Sequence, residues 1–179
     1  MSFLSRALVV TTLVFPGFAL AQERPRILSP RDTTAQTIAA AHLTVDYGRP
    51  SKRRREIFGA LVPYDALWRT GANEATHLRT DRDIMIGTIH VPRGTYTLWT
   101  IPGRDGWTLI VNRQTGQWGT DYDKTRDVGR TQMKVVSLKE PVEQFTIAIE
   151  PTQKGSGVLI MRWDTTQATV PIHVDKRMP

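Results

Sequence analysis

The stretch Arg69-Thr70-Gly71-Ala72-Asn73-Glu74-Ala75-Thr76 sets a guanidinium, an amide, a carboxylate and two hydroxyls within eight residues. Each group has a use. Arg69 can clamp an anion through parallel N–H donors, Asn73 can orient a substrate, Thr76 adds a hydroxyl, and Glu74 can serve as acid, base or ligand anchor. His77 follows at once and is a second candidate for proton transfer. The same residues also suit a purely structural role. Arg69 and Glu74 then form a buried ion pair, and Gly71 with Asn73 builds a turn in which Asn73 bonds its own backbone. Both readings stand open at this point.

Neighbouring residues extend the cluster. Tyr47 and Arg49 close an upstream strand, and successive strand residues point to opposite faces. Tyr47 therefore faces away from His42 and Asp46, so only one of these sets can enter a given pocket. Trp118, in Gln117-Trp118-Gly119, falls in a loop, where an aromatic face can stack on a sugar ring or an apolar ligand.

Other chemistries lack their residues. The chain has no cysteine, which excludes thiol catalysis and disulfide staples. His42, His77, His90 and His173 form neither a His-x-His pair nor a zinc-binding helical spacing. Asp121 to Asp127 resembles a calcium loop only superficially. Arg126 stands where the turn glycine belongs, and Gln132 stands where the bidentate glutamate belongs. No nucleophile elbow, dinucleotide-binding glycine pattern or phosphate loop occurs in the mature chain. No metal and no cofactor is expected.

These residues need elements to position them. From about Thr33 onward, short apolar runs alternate with turn residues, the mark of an all-β domain. The pattern predicts strands over 33–38, 42–48, 75–80, 83–86, 95–101, 107–112, 132–138, 143–150, 157–163 and 168–174. Phe145, Ile147 and Ile149 share one face, as do Leu159, Met161 and Trp163. Pro102-Gly103-Arg104-Asp105-Gly106 has the residues of a hairpin connection. Ala60 to Trp68 has room for one short helical turn, which Pro63 limits. About ten strands with short links predict an antiparallel β-sandwich, with a closed β-barrel as the alternative.

The amino terminus carries an address. Arg6 precedes an apolar run from Ala7 to Phe15, Pro16-Gly17 breaks it, and Ala19-Leu20-Ala21 offers a cleavage site. Residues 1–21 are read as a signal peptide and residues 22–179 as a single exported β-rich domain, periplasmic or secreted. No stretch is apolar for long enough to span a bilayer. The formal charge is +7, and Lys52-Arg53-Arg54-Arg55 is its densest run. Export argues against nucleic acid as a partner and leaves small anions or anionic envelope components.

Several segments together resemble one bacterial family. They are Tyr47-Gly48-Arg49-Pro50-Ser51-Lys52, Ile57-Phe58-Gly59, Leu61-Val62-Pro63-Tyr64 and Trp68 through Thr76. The similarity continues through Pro92 to Leu98, Trp107 to Ile110, Asn112, Gln117-Trp118-Gly119, Val142 to Ile147 and Trp163. The family is the secreted domain-of-unknown-function family 2911. The resemblance implies an exported β-rich domain and supplies no catalytic residue. Arg54 stands where the family pattern has glycine. Either the local turn differs here, or that position never needed positive φ.

The leading expectation is a non-catalytic, monomeric domain that binds a small molecule or envelope component near Arg69–Thr76. The candidate ligand residues are Tyr47, Arg49, Arg69, Asn73, Glu74, Thr76 and Trp118. The alternatives are a hydrolase or isomerase using Glu74 with Arg69 or His77, and an interaction domain of an envelope assembly.

Overall fold

A computed structural model describes residues 28–153 and 155–174. Residues 1–21, read from sequence as a signal peptide, lie outside them. The strands are β1 (Arg31–Ile38), β2 (Ala41–Gly48), β3 (Thr76–Thr80), β4 (Ile84–Ile86), β5 (Ile89–Val91), β6 (Gly94–Pro102), β7 (Gly106–Asn112), β8 (Asp127–Pro151) and β9 (Ser156–His173). They form one nine-stranded sheet in the order β1-β2-β3-β6-β7-β8-β9-β4-β5. All the strand pairs are antiparallel. The edges β1 and β5 do not pair with each other, so the sheet stays open and folds over as a sandwich rather than closing as a barrel.

Alternation explains which faces meet. Ala41, Leu43, Val45 and Tyr47 of β2 point inward, as do Phe145, Ile147 and Ile149 of β8 and Leu159, Met161 and Trp163 of β9. The predicted hairpin forms between β6 and β7, with Pro102 opposite Trp107. The segments 132–138 and 143–150 prove to be one long strand, β8. Its register to β9 shifts between Ser137 and Val142 and again between Val142 and Thr146. Likewise 157–163 and 168–174 lie along β9. Irregular corners made each strand look like two. β5 was not expected from sequence; its three residues behind Gly87 and Thr88 are too few to show a period.

The long connection from Arg49 to Ala75 is the unusual part. The short helical turn expected within Ala60–Trp68 is absent. Tight turns take its place, with Phe58 bridged to Val62 and Trp68 bridged to Thr100 of β6. The one helical turn among the described residues is a 3-10 turn at Lys124–Arg126, capped by the Asp123 carboxylate. Ser51 pairs with Gln144, so the chain leaving β2 is tied to β8 across the sandwich.

Lys52 to Arg55 makes a tight turn, closed by the Arg55 N–H on the Lys52 carbonyl at 3.1 Å. Both central residues are left-handed, Arg53 at φ 50° and Arg54 at φ 60°. Positive φ is thus required at the position where the family pattern has glycine, and Arg54 adopts it. Left-handed geometry costs an L-residue about 1–2 kcal/mol, and a glycine there adds about 0.4–1 kcal/mol of unfolded-chain entropy. Arg54→Gly should therefore raise stability by about 0.5–1 kcal/mol. A matched pair of urea unfolding curves tests this, and a lower midpoint for the glycine variant contradicts it.

Candidate functional site

The loop Arg69–Thr76 is built around buried hydroxyls. Thr70 sits at φ 53°, an outlier for a β-branched residue. Its carbonyl accepts from Thr76 Oγ1 at 2.8 Å, and its own Oγ1 donates to Thr100 Oγ1 at 3.1 Å. Gly48 allows the loop backbone to pass close by: a side chain there would begin 2.1 Å from the Ala72 carbonyl oxygen. On the other side, Gly119 N–H donates to the Asn73 carbonyl at 3.0 Å, and Glu74 bridges to Trp118. Thr76 is therefore a buried brace of the loop, and the Asn73 amide reaches the Ser29 carbonyl at 3.4 Å.

The charges are not arranged as an Arg69–Glu74 pair. Glu74 is half-exposed and bonds Arg31 at 3.1 Å. Its own backbone N–H, and then the Arg31 guanidinium, hold its carboxyl below the ordinary value. Arg31 also pairs with Asp46. Among the described residues Arg69 has no carboxylate partner.

Tyr47 and Arg49 do not line this loop's cavities either. Tyr47 is buried, and its hydroxyl accepts from Ile147 N–H at 2.9 Å and donates to the Ile147 carbonyl at 3.3 Å. Arg49 donates to the Phe145 carbonyl, the Thr146 hydroxyl and the Asp32 carboxylate at 2.9–3.1 Å. Both residues join β2 to β8.

What Arg69 does line is a cavity of about 320 Å³. Its floor is Trp68 and Trp163, which stack at 5.9 Å between centroids with planes 17° apart. Its rim carries Arg53, Arg55 and Arg69, and no carboxylate residue is in the lining. Arg53 gives one N–H to the Leu28 carbonyl, and Arg55 gives two to the carbonyls of Ser51 and Lys52. A guanidinium has five N–H donors, so each keeps several in hand. Arg53 and Arg55 come from the densest charge run of the sequence, which the Ser51–Gln144 pairing and the bonds of Lys52 and Arg53 to Glu143 tie to β8, in the lining of the same cavity as Arg69.

A second cavity of about 280 Å³ shares Leu61, Val62, Trp68 and Arg69 with the first and adds Trp99, Gly119 and Thr120. Trp118, half-exposed, neighbours Gly119 at its wall. Glu74 and His77 line neither cavity. His77 instead lines a groove on the outer sheet face with Asp46, Arg79 and Thr115. There the Gly116 N–H donates to its Nε2 at 3.3 Å, a bond that needs the ring neutral. Burial, and then the charge of Arg31, push the His77 pKa below 6.5.

The would-be calcium loop is held by protein donors. Asp127 accepts from the Tyr122 hydroxyl, the Asn112 amide and Arg130 at 2.8–3.1 Å. Burial, and then Asp127, push Tyr122 up to about 12. No group of three or more acidic or histidine side chains gathers as a metal site among the described residues.

Fold and cavity together define an antiparallel β-sandwich with an arginine-rimmed, tryptophan-floored cavity at the turn between β2 and β3. The chain belongs to the family described as protein of unknown function (DUF2911), whose model matches residues 29–172. Comparison with curated proteins and with solved structures gives no match. No helix among the described residues is long and apolar enough to cross a membrane.

The His77 geometry has a measurable consequence. Because the folded pKa lies below 6.5, protonation favours the unfolded chain. Stability should fall as the pH drops through that value and return above it. The melting temperature of the native chain should lose ground to His77→Gln between about pH 7 and pH 5. Parallel curves for the two proteins across that range contradict the assignment.

Proposed function

We propose that the protein is an exported, non-catalytic binding domain for a small anionic molecule with an apolar face. The observation that carries the proposal is the cavity that holds Arg53, Arg55 and Arg69 over Trp68 and Trp163 without a carboxylate. Three like charges at one rim repel, and a carboxylate or phosphate-like group removes that repulsion while accepting fork-shaped N–H pairs. The indole floor takes an apolar or ring-shaped body. Export rests on the apolar run and the Ala19-Leu20-Ala21 site.

Acid–base chemistry at Glu74 has less to support it. The carboxylate is exposed, it is held ionised by its own backbone N–H and then by Arg31, and it lines neither cavity. The strain around the arginine cavity also favours binding there. Five of the seven non-glycine residues with positive φ among the described residues, Arg53, Arg54, Asp65, Thr70 and Asn73, fall in this connection. Such conformations concentrate where a ligand is held.

Benzoate combines an anion with a flat apolar body and is a suitable first probe. At tenfold its dissociation constant and fixed ionic strength it should stabilise the domain by about 1.4 kcal/mol, a melting shift of roughly 3–5 °C. Benzyl alcohol, which lacks the charge, should give no comparable shift, and Arg69→Gln should lose most of the benzoate effect. Equal responses to the charged and neutral probes, or an undiminished response in Arg69→Gln, contradict the proposal.

A further inference from the structure

The two cavities are rimmed by apolar side chains that face water. Among the described residues five large hydrophobic side chains are exposed, and three of them, Leu28, Leu61 and Leu67, line these cavities. Leu28 and Leu61 belong to the first, Leu61 and Leu67 to the second, where the exposed Pro63 joins them. A single exposed leucine is ordinary surface, but exposed apolar groups gathered in one place mark a contact surface. The cavities adjoin, because Leu61, Val62, Trp68 and Arg69 line both.

The same region is basic, and its charge is uncompensated. Arg49 and Lys52 are neutralised in ion pairs with Asp32 and Asp164. Arg53, Arg54 and Arg55 are exposed, and neither they nor Arg69 form an ion pair among the described residues. Glu56 and Asp65, the acids of the connection that also lack an ion pair there, line neither cavity. Apolar side chains and unpaired guanidiniums therefore share one rim.

We propose that this rim docks on an anionic phospholipid bilayer. A headgroup phosphodiester enters the first cavity among Arg53, Arg55 and Arg69, and Leu28, Leu61 and Leu67 sink into the boundary between headgroups and acyl chains. This rests on the anion-binding reading of the first cavity and names the partner that presents the anion. A membrane surface answers both halves of the rim at once, with negative charge for the guanidiniums and an apolar boundary for the leucines. Arginine suits such a place, because its fork of donors matches phosphate while its stem packs along apolar surface.

The chain has no cysteine, so a single one introduced on the rim carries an environment-sensitive dye without background. Leu61→Cys and Leu67→Cys place the dye on the rim, and Val136→Cys places it at an exposed apolar position that lines neither cavity. Each labelled protein is mixed with vesicles of phosphatidylcholine, and with vesicles of equal phosphatidylcholine and phosphatidylglycerol. Only the mixed vesicles should sediment the protein. There the rim dyes should shift to shorter wavelength and be quenched by lipids brominated in the acyl chain, and the dye on Val136→Cys should do neither. Unlabelled Arg69→Gln should bind the mixed vesicles about fivefold more weakly, the worth of one basic residue at an anionic surface.

Sedimentation with both kinds of vesicle, or with neither, overturns the inference. So does sedimentation with the mixed vesicles in which the rim dyes stay unshifted or the Val136→Cys dye shifts equally. The formal charge of +7 then holds the protein there without this surface. Undiminished vesicle binding by Arg69→Gln overturns it as well. In each of these cases a benzoate shift that depends on Arg69 leaves the anion-binding reading standing, and the absence of that shift removes both.

Discussion

The packing of one indole organises this molecule's functional end. Trp68 lies among Phe58, Trp107, Phe145 and Trp163, with ring centroids 5.0–6.0 Å away. Its backbone exchanges hydrogen bonds with Thr100 of β6 at 2.7 and 3.0 Å. Each well-oriented aromatic pair adds roughly 0.5–1.5 kcal/mol beyond the area it buries, so the cluster offsets the entropy of ordering about two or three loop residues. Without that anchor the connection between β2 and β3 is a long segment with no regular structure, which compact domains seldom keep without a use. With it, the connection becomes a wall. Trp68 is at once core residue, cavity floor and partition.

The same anchor explains how the connection tolerates its backbone. Left-handed residues such as Thr70 cost about 1–3 kcal/mol apiece and persist only where their surroundings over-determine them. Thr70 is fixed by hydroxyl bonds to Thr76 and Thr100, and Arg53 by a backbone N–H on the Glu143 carboxylate at 2.9 Å. Lys52 donates its N–H to the Glu143 carbonyl at 2.7 Å. A cavity framed this way is formed before anything enters it. Binding then needs little ordering of the protein, which leaves more of the contact energy to appear as affinity.

Sequence revealed the parts of this account that are local. Alternation placed Phe145, Ile147 and Ile149 inside correctly, because a two-residue period is a direct image of the pleat. It could not show that 132–138 and 143–150 are one strand, since the corner between them has no period. The loop Arg69–Thr76 was legible as a polar cluster, but its pairing was not. Glu74 lies five residues from Arg69, and closeness in sequence suggested a pair; the partner is Arg31, 43 positions away. Tyr47 and Arg49 likewise read as ligand residues because their job is done at Ile147 and Phe145, up to 100 positions distant. Arg53 and Arg55 were visible only as charge. The contact that recruits them, Ser51 to Gln144, leaves no trace in either segment alone.

The central claim is that the Arg49–Ala75 connection belongs to the rigid body of the sandwich, so that the arginine rim is preformed. Native-state hydrogen exchange measures this directly, amide by amide. The Lys52, Val62 and Trp68 amides donate to Glu143, Ile57 and Thr100 at 2.7–2.8 Å. They should exchange as slowly as Leu109 and Ile110 in β7, through opening of the whole domain. Exchange of these three at the rate of an unprotected loop, while β7 remains protected, would contradict the account.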